Sequence, residues 1–214
     1  MSDTTQTGKF ITLEGVEGVG KTTNLEFIQS WIESRNIPLV VTREPGGTDL
    51  GEAIRELLLG HAHDGMADDA ELLLMFAARA EHLDKVIIPA LNRGDWVLCD
   101  RFTDATYAYQ GGGRGMDRHR IAAIEQWVQH DLRPDLTILL DLPVEIGLRR
   151  ASQRSDPDRF EKEHHQFFEN VRDAYLDLAK ITPARYRIID ASLSLDQVQQ
   201  QIATVLDDYL GTNR

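Results

Sequence analysis

Apolar residues in this chain gather in short runs separated by longer stretches of helical period, and that alternation predicts its architecture. Four runs rich in β-branched and apolar residues, FITLE at 10–14, LVVTR at 39–43, WVLCD at 96–100 and LTILLD at 136–141, read as buried strands. YRIID at 186–190 is a weaker fifth. Between them, Leu25, Ile28 and Ile32 recur at three and four residues, as do Leu72, Met75, Phe76 and Arg79. A last stretch, 194–210, carries Leu195, Val198, Ile202, Val205, Leu206 and Tyr209 at helical spacing, with Ser194 as its N-cap and Gly211 as its stop. Strand and helix alternate throughout. That order predicts an α/β fold, a five-stranded parallel sheet with helices on both faces and ligands at the carboxyl ends of the strands.

Composition narrows the partners. The 214 residues hold 23 Lys plus Arg against 35 Asp plus Glu, a formal charge of −12, which disfavours nucleic acid and anionic membranes. A small phosphorylated ligand needs only local positive charge. The length fits one domain over 1–214. No apolar run approaches the roughly 20 residues that span a bilayer, and the polar start MSDTTQTGK lacks a secretory pattern, so a soluble, cytoplasmic protein is expected. The single cysteine, Cys99, lies in an apolar run and reads as a buried strand residue. The seven histidines show no zinc-ligand spacing and read as surface or packing residues.

The strongest chemical signal is GVEGVGKT at 15–22, with Gly15, Gly20, Lys21 and Thr22 where a phosphate-binding P-loop requires them. A strand precedes it and a helix opens near Lys21, so backbone N–H groups and the positive helix end can face phosphate oxygens. Lys21 can reach the β and γ phosphates, and the Thr22 hydroxyl can ligate Mg²⁺. The loop alone establishes nucleotide binding on a P-loop NTPase fold, not a function. An N-K-x-D guanine box is absent, which weakens a GTPase reading and favours a small kinase.

Three further segments fall at strand ends or on the next helix: TREPGGT at 42–48, FAAR at 76–79, and DRF at 100–102 followed by ATYAYQGGGRG. GGGRG at 111–115 reads as a turn in a site-bearing loop. Together with GVEGVGKT these segments make the chain resemble the thymidylate kinase family over nearly its whole length. The resemblance implies transfer of the γ-phosphoryl of ATP to the 5′-phosphate of dTMP, giving dTDP and ADP, with Mg²⁺ required and a homodimer formed through a helical face, for which 70–92 is a candidate. ATP contacts would run through Gly15, Val16, Glu17, Gly18, Val19, Gly20, Lys21, Thr22 and Thr23.

For the acceptor, the resemblance places Arg101 and Arg55 on its phosphate with Arg43 in support, and bidentate guanidinium contacts suit that task. Glu17 matches the residue that accepts from the sugar 3′-hydroxyl. Arg79 matches the reader of a thymine carbonyl, with Thr106 and Gln110 as further polar contacts and Tyr109 under the deoxyribose. Either Met75 or Phe76 is the base platform, since both share a helical face with Arg79. Asp100 is expected to hold Mg²⁺ through water, with orientation of Lys21 or of the attacking phosphate as alternatives.

The phosphate loop carries no basic residue between 15 and 20. In the bacterial subtype that this resembles, a small mobile lid supplies the missing cation, here RRASQRSDPDRFE at about 149–160. Arg154 or Arg150 is expected on the transferring phosphoryl and Arg149 against the adenine. A kinase for another acceptor, and a nucleotide-dependent switch without turnover, are the competing readings.

Overall fold

The computed structural model describes residues 8–63, 65–152, 159–160 and 163–212. Five strands, β1 (Phe10–Glu14), β2 (Leu39–Arg43), β3 (Trp96–Asp100), β4 (Leu136–Asp141) and β5 (Tyr186–Asp190), form one all-parallel sheet in the order β2-β3-β1-β4-β5. Each strand occupies the bounds its apolar run predicts. Period-2 alternation sorts the side chains of the central strands to two cores. Ile11, Leu13 and Leu98 join one cluster, whereas Phe10, Val97 and Cys99 join the other. Both faces are therefore covered, which is why β1 and β4 read as nearly unbroken apolar runs.

The larger cluster is closed by α1 (Lys21–Glu33), α8 (His165–Ile181) and α9 (Leu195–Thr212) through Ile28, Ile32, Phe168, Val171, Ile202 and Leu206. The other helices are α2 (Asp49–Leu59), α3 (Asp68–His82), α4 (Ile88–Arg93), α5 (Thr103–Thr106), α6 (Arg118–Gln129) and α7 (Val144–Ala151). A π-helical turn at Leu83–Ile87 joins α3 to α4 just before Pro89, whose missing N–H interrupts the α ladder.

Two local expectations change. Ser194 does cap α9: its hydroxyl accepts from Gln197 N at 3.4 Å while its own N–H donates to Gln197 Oε1 at 3.2 Å. Gly211 does not stop the helix, which continues through it to Thr212. Gly111, Gly112 and Gly113 are helical rather than part of a loop, because Tyr107–Gly113 is a π-helical segment continuing α5, and only Gly115, at φ 72°, follows it. A Cβ at Gly112 would lie 2.7 Å from both the Asn170 carbonyl and Ala174 Cβ, so this glycine lets the segment press against α8.

Among the described residues, no helix is long and apolar enough to cross a membrane. Cys99 is free and fully buried, with burial pushing its thiol pKa well up.

Parallel register places Leu13 beside Asp100, and Asp100 beside Arg43. The loops leaving β1, β2 and β3 therefore emerge at one edge of the sheet, where the chemistry-bearing segments were expected to meet.

Candidate active site

The turn between β1 and α1 depends on positive φ at Gly15 (143°), Gly18 (72°) and Gly20 (88°). At Gly18 a side chain would also collide with the backbone of Gly147, so α7 packs directly on the loop. Lys21 folds back and donates to the carbonyls of Gly15 at 3.1 Å and Val16 at 3.2 Å. Desolvation, then the nearby Arg101 guanidinium, brings its pKa down to about 8.

Residues Glu17 to Thr22 line a cavity of ≈ 290 Å³ together with Arg55, Met75, Arg79, Asp100, Arg101, Thr106, Tyr109 and Gln110. The structure thus brings together segments as distant as 17 and 110. Gly15 and Val16 lie behind this lining as acceptors for Lys21, and Thr23 is exposed on α1.

At the centre, Glu17 Oε1 accepts from the Tyr109 hydroxyl at 2.6 Å and from Arg101 Nη2 at 3.1 Å. Its second oxygen, Oε2, is buried without a partner. Arg101 has a backbone φ of 67°, a sparsely populated conformation for a non-glycine residue. It is held by Arg101 N donating to Leu13 O at 3.0 Å and by the Cys99 thiol donating to Arg101 O at 3.0 Å. Behind the guanidinium, Nη1 donates to the Tyr175 hydroxyl at 3.3 Å, and that hydroxyl donates to Glu14 Oε2 at 2.7 Å. Burial, and next the Asp104 carboxylate, push the Glu14 pKa up to about 8.

Asp100 Oδ1 is also buried and unpartnered, and Asp100 and Thr22 both belong to the lining. An orphaned carboxylate oxygen and an exposed hydroxyl are hard donors suited to Mg²⁺, so the residues present fit the ion. Arg55 donates to Pro45 O at 2.8 Å and is partly desolvated, which lowers its pKa. Arg43 does not line the cavity: it is 53% exposed and pairs with Glu52 at 2.8 Å. Glu52 in turn accepts from Gly47 N at 2.9 Å, so Arg43 braces the 44–48 turn from outside.

The far end is aromatic and polar. Arg79, 2% exposed, donates from Nε to Glu44 Oε2 at 2.8 Å and from Nη2 to Thr106 Oγ1 at 3.1 Å. Its Nη1 is buried without a partner. Met75 lines the cavity, whereas Phe76 turns into a cluster with Leu72 and Ile121 and supports Arg79 from 4.7 Å. Gln110 lines the cavity with its amide nitrogen on Glu71 at 2.8 Å.

The basic segment after β4 departs from expectation. Arg149 and Arg150 belong to the last turn of α7 rather than to a loop, and neither lines the cavity. Arg150 donates to Ala191 O at 3.1 Å. Arg154 lies outside the described residues. Arg159 is 7% exposed and donates to Leu58 O at 2.8 Å and to Glu71.

Sequence reasoning gave no role to Glu44, Pro45, Leu59, Phe102, Ala105 and Phe160, which join the lining, or to Glu71 and His82 behind it. His82 is fully buried between Glu44 Oε1 at 3.0 Å and Thr42 Oγ1 at 2.6 Å. Its place on the same helical face as Arg79, three residues on, was the available signal.

Comparison with known proteins agrees with this geometry. Residues 13–202 match the family model described as thymidylate kinase. The chain is 59% identical over 208 residues to a thymidylate kinase of Pseudomonas syringae pv. tomato, covering 97% of this chain and 99% of that one. It is 58% identical over 203 residues to a thymidylate kinase of Methylococcus capsulatus, covering 95% and 97%. A solved thymidylate kinase from Ehrlichia chaffeensis superposes with a TM-score of 0.77 at 33% identity, covering 94% of this chain and 99% of that one. The chain belongs to the thymidylate kinase family.

Proposed function

We infer that the cavity between the phosphate loop and Arg79 is where this chain carries out its family's reaction, the ATP-dependent phosphorylation of dTMP to dTDP. Thymidylate kinase activity follows from the family; the roles of single residues are proposals. One observation carries them: Glu17, a residue of the phosphate loop, is hydrogen-bonded to Tyr109 and Arg101 of the acceptor side. Donor and acceptor sites therefore share one wall.

Lys21 and the loop N–H groups would hold the β and γ phosphates of ATP. Arg101 and Arg55 would hold the dTMP phosphate, whose oxygen is already anionic and attacks without a general base. The Glu17 carboxylate would take the 3′-hydroxyl on Oε2. Arg79 would donate from Nη1 to a thymine carbonyl, with Met75 under the base and Tyr109 beside the sugar. Thr22 and Asp100 would hold Mg²⁺, which supplies charge neutralisation between the phosphates. Positioning and electrostatic stabilisation do the rest of the work.

Arg159 and Arg150 are committed elsewhere, so Arg154 is the proposed lid cation. We read 1–214 as one kinase domain acting in the cytoplasm. Exposed Leu73 and Ile88, both within 70–92, support a homodimer through that helical segment. The proposed acceptor is tested by ADP release from Mg-ATP with dTMP, dUMP, UMP, CMP and thymidine in turn. Strongest stimulation by dTMP is expected; no stimulation by dTMP would sink the reading.

A further inference from the structure

Glu71 lies on α3, one helical turn before Met75, and is fully buried. Three donors converge on it: Gln110 Nε2 at 2.8 Å, Arg114 through Nε at 3.5 Å and Nη2 at 3.4 Å, and Arg159 Nη2. Arg114 is itself tied to Glu163, and Gln110 is 1% exposed. A carboxylate between two guanidinium groups accepts and does not donate, so the Gln110 amide has only one compatible orientation. Its NH₂ faces Glu71, which leaves the amide oxygen for the cavity that Gln110 lines.

The consequence is a defined polarity at the base end of the site. Arg79 Nη1 is a buried donor without a partner, and Glu44 and Thr106 hold the rest of that guanidinium. Thr106 is four residues before Gln110, so donor and acceptor come from neighbouring parts of one wall. Thymine presents a carbonyl next to an N3–H, an acceptor followed by a donor. Cytosine presents the reverse, an amino group next to a bare ring nitrogen.

We propose that Glu71 is a positioning residue that sets base specificity by turning the Gln110 amide oxygen toward the acceptor base, so that the pocket takes an N–H edge and rejects a bare nitrogen. This rests on the acceptor site described above. In Glu71→Gln the side chain at 71 can itself donate, which permits Gln110 to flip and show its NH₂ to the base. The pocket would then match the ring nitrogen of cytosine, while Arg79 would still oppose its amino group.

Calorimetric dissociation constants for dTMP and dCMP test this on the full chain, with Glu71→Gln, Gln110→Leu and the double variant, each checked by thermal melting. Relative to wild type, Glu71→Gln should lower the preference for dTMP over dCMP by about ten-fold or more, the effect of one mismatched buried hydrogen bond. Gln110→Leu should lower it comparably, and adding Glu71→Gln to it should lower it no further. A folded Glu71→Gln chain with the wild-type preference overturns the proposal. So does an effect of Glu71→Gln that persists undiminished on the Gln110→Leu background, which would place its action in the arginines. If Glu71→Gln does not fold, Glu71→Asp decides, since it draws the carboxylate back from Gln110: a fallen ratio that Gln110→Leu abolishes as a separate effect supports the proposal, and an unchanged ratio overturns it. Because binding is read, a wild-type chain that binds dTMP but transfers no phosphoryl group would sink the proposed function and leave this inference standing.

Discussion

The Tyr109 hydroxyl donates to Glu17 Oε1 at 2.6 Å, and the other oxygen of that carboxylate is buried with no partner. A residue of the phosphate loop is thereby held, by a residue more than ninety positions away, in the wall of the cavity both of them line. Removing the hold without removing the carboxylate isolates its value. Tyr109→Phe should raise the KM for dTMP by about ten-fold or more, the worth of one hydrogen bond to a charged group. Steady-state kinetics should show the KM for ATP changed by less than about two-fold, because uniform acceptor binding is what is lost. Equal effects on both substrates would place Tyr109 in the fold of the loop.

Arg55 reaches the cavity from α2, held by the Pro45 carbonyl at 2.8 Å. If it binds the dTMP phosphate, Arg55→Ala should raise the dTMP KM by about ten-fold or more, as expected for a charge-assisted contact. Arg43→Ala, whose parent side chain lies outside the lining, should cost less. Initial rates at varied dTMP rank the two, and the reverse ranking would move the phosphate site toward the exposed face of the turn.

The closeness of the π-helical turn at Tyr107–Gly113 to α8 predicts a packing cost. In Gly112→Ala the new methyl group would meet the Asn170 carbonyl and Ala174 Cβ at 2.7 Å, and backbone has to move. A loss of about 1–3 kcal/mol is expected, read as a shift in urea midpoint at unchanged m-value. An unchanged midpoint would show that the turn accommodates the group.

Much of this was legible in the sequence, and the exceptions share a cause. The bounds of β1, β3 and β4 were readable because strands buried on both faces need unbroken apolar runs, and those of the half-exposed edge strands β2 and β5 because β-branched residues mark them. Lys21 was readable from the phosphate-loop pattern, and Asp100 and Arg101 from the end of a parallel strand, where ligands bind; all three line the cavity. Arg43, Arg149, Arg150 and Arg159 look alike in sequence, yet one braces a turn, two end a helix and one is buried on Glu71. Their roles depend on partners distant in the chain. Glu71 and His82, both on α3, escaped notice for the same reason: a carboxylate or imidazole on a helix face looks solvated until the opposite wall is present. Phe76 was one of two platform candidates, and only the packing of Leu72 and Ile121 separates it from Met75.

Glu14 carries a pH signature. Its pKa is pushed up to about 8 in the folded chain, by burial first and then by Asp104, from an ordinary value of 4.5. Between those values the folded chain keeps a proton that the unfolded chain has released, so this contribution to stability is full below 4.5 and is lost as pH rises through about 8. Wild-type melting temperature should therefore fall across that window, by at most about 1.4 kcal/mol of stability per pH unit from this group. Glu14→Gln should flatten the profile. Parallel profiles for the two proteins would show that Glu14 does not hold the proton.

The central claim is that one cavity brings the γ-phosphate of ATP to the phosphate of dTMP, and following the transferred group tests it most directly. With γ-labelled ATP, Mg²⁺ and dTMP, the label should appear in dTDP in the same molar amount as the ADP formed. Label released as inorganic phosphate at a rate indifferent to dTMP would contradict the account.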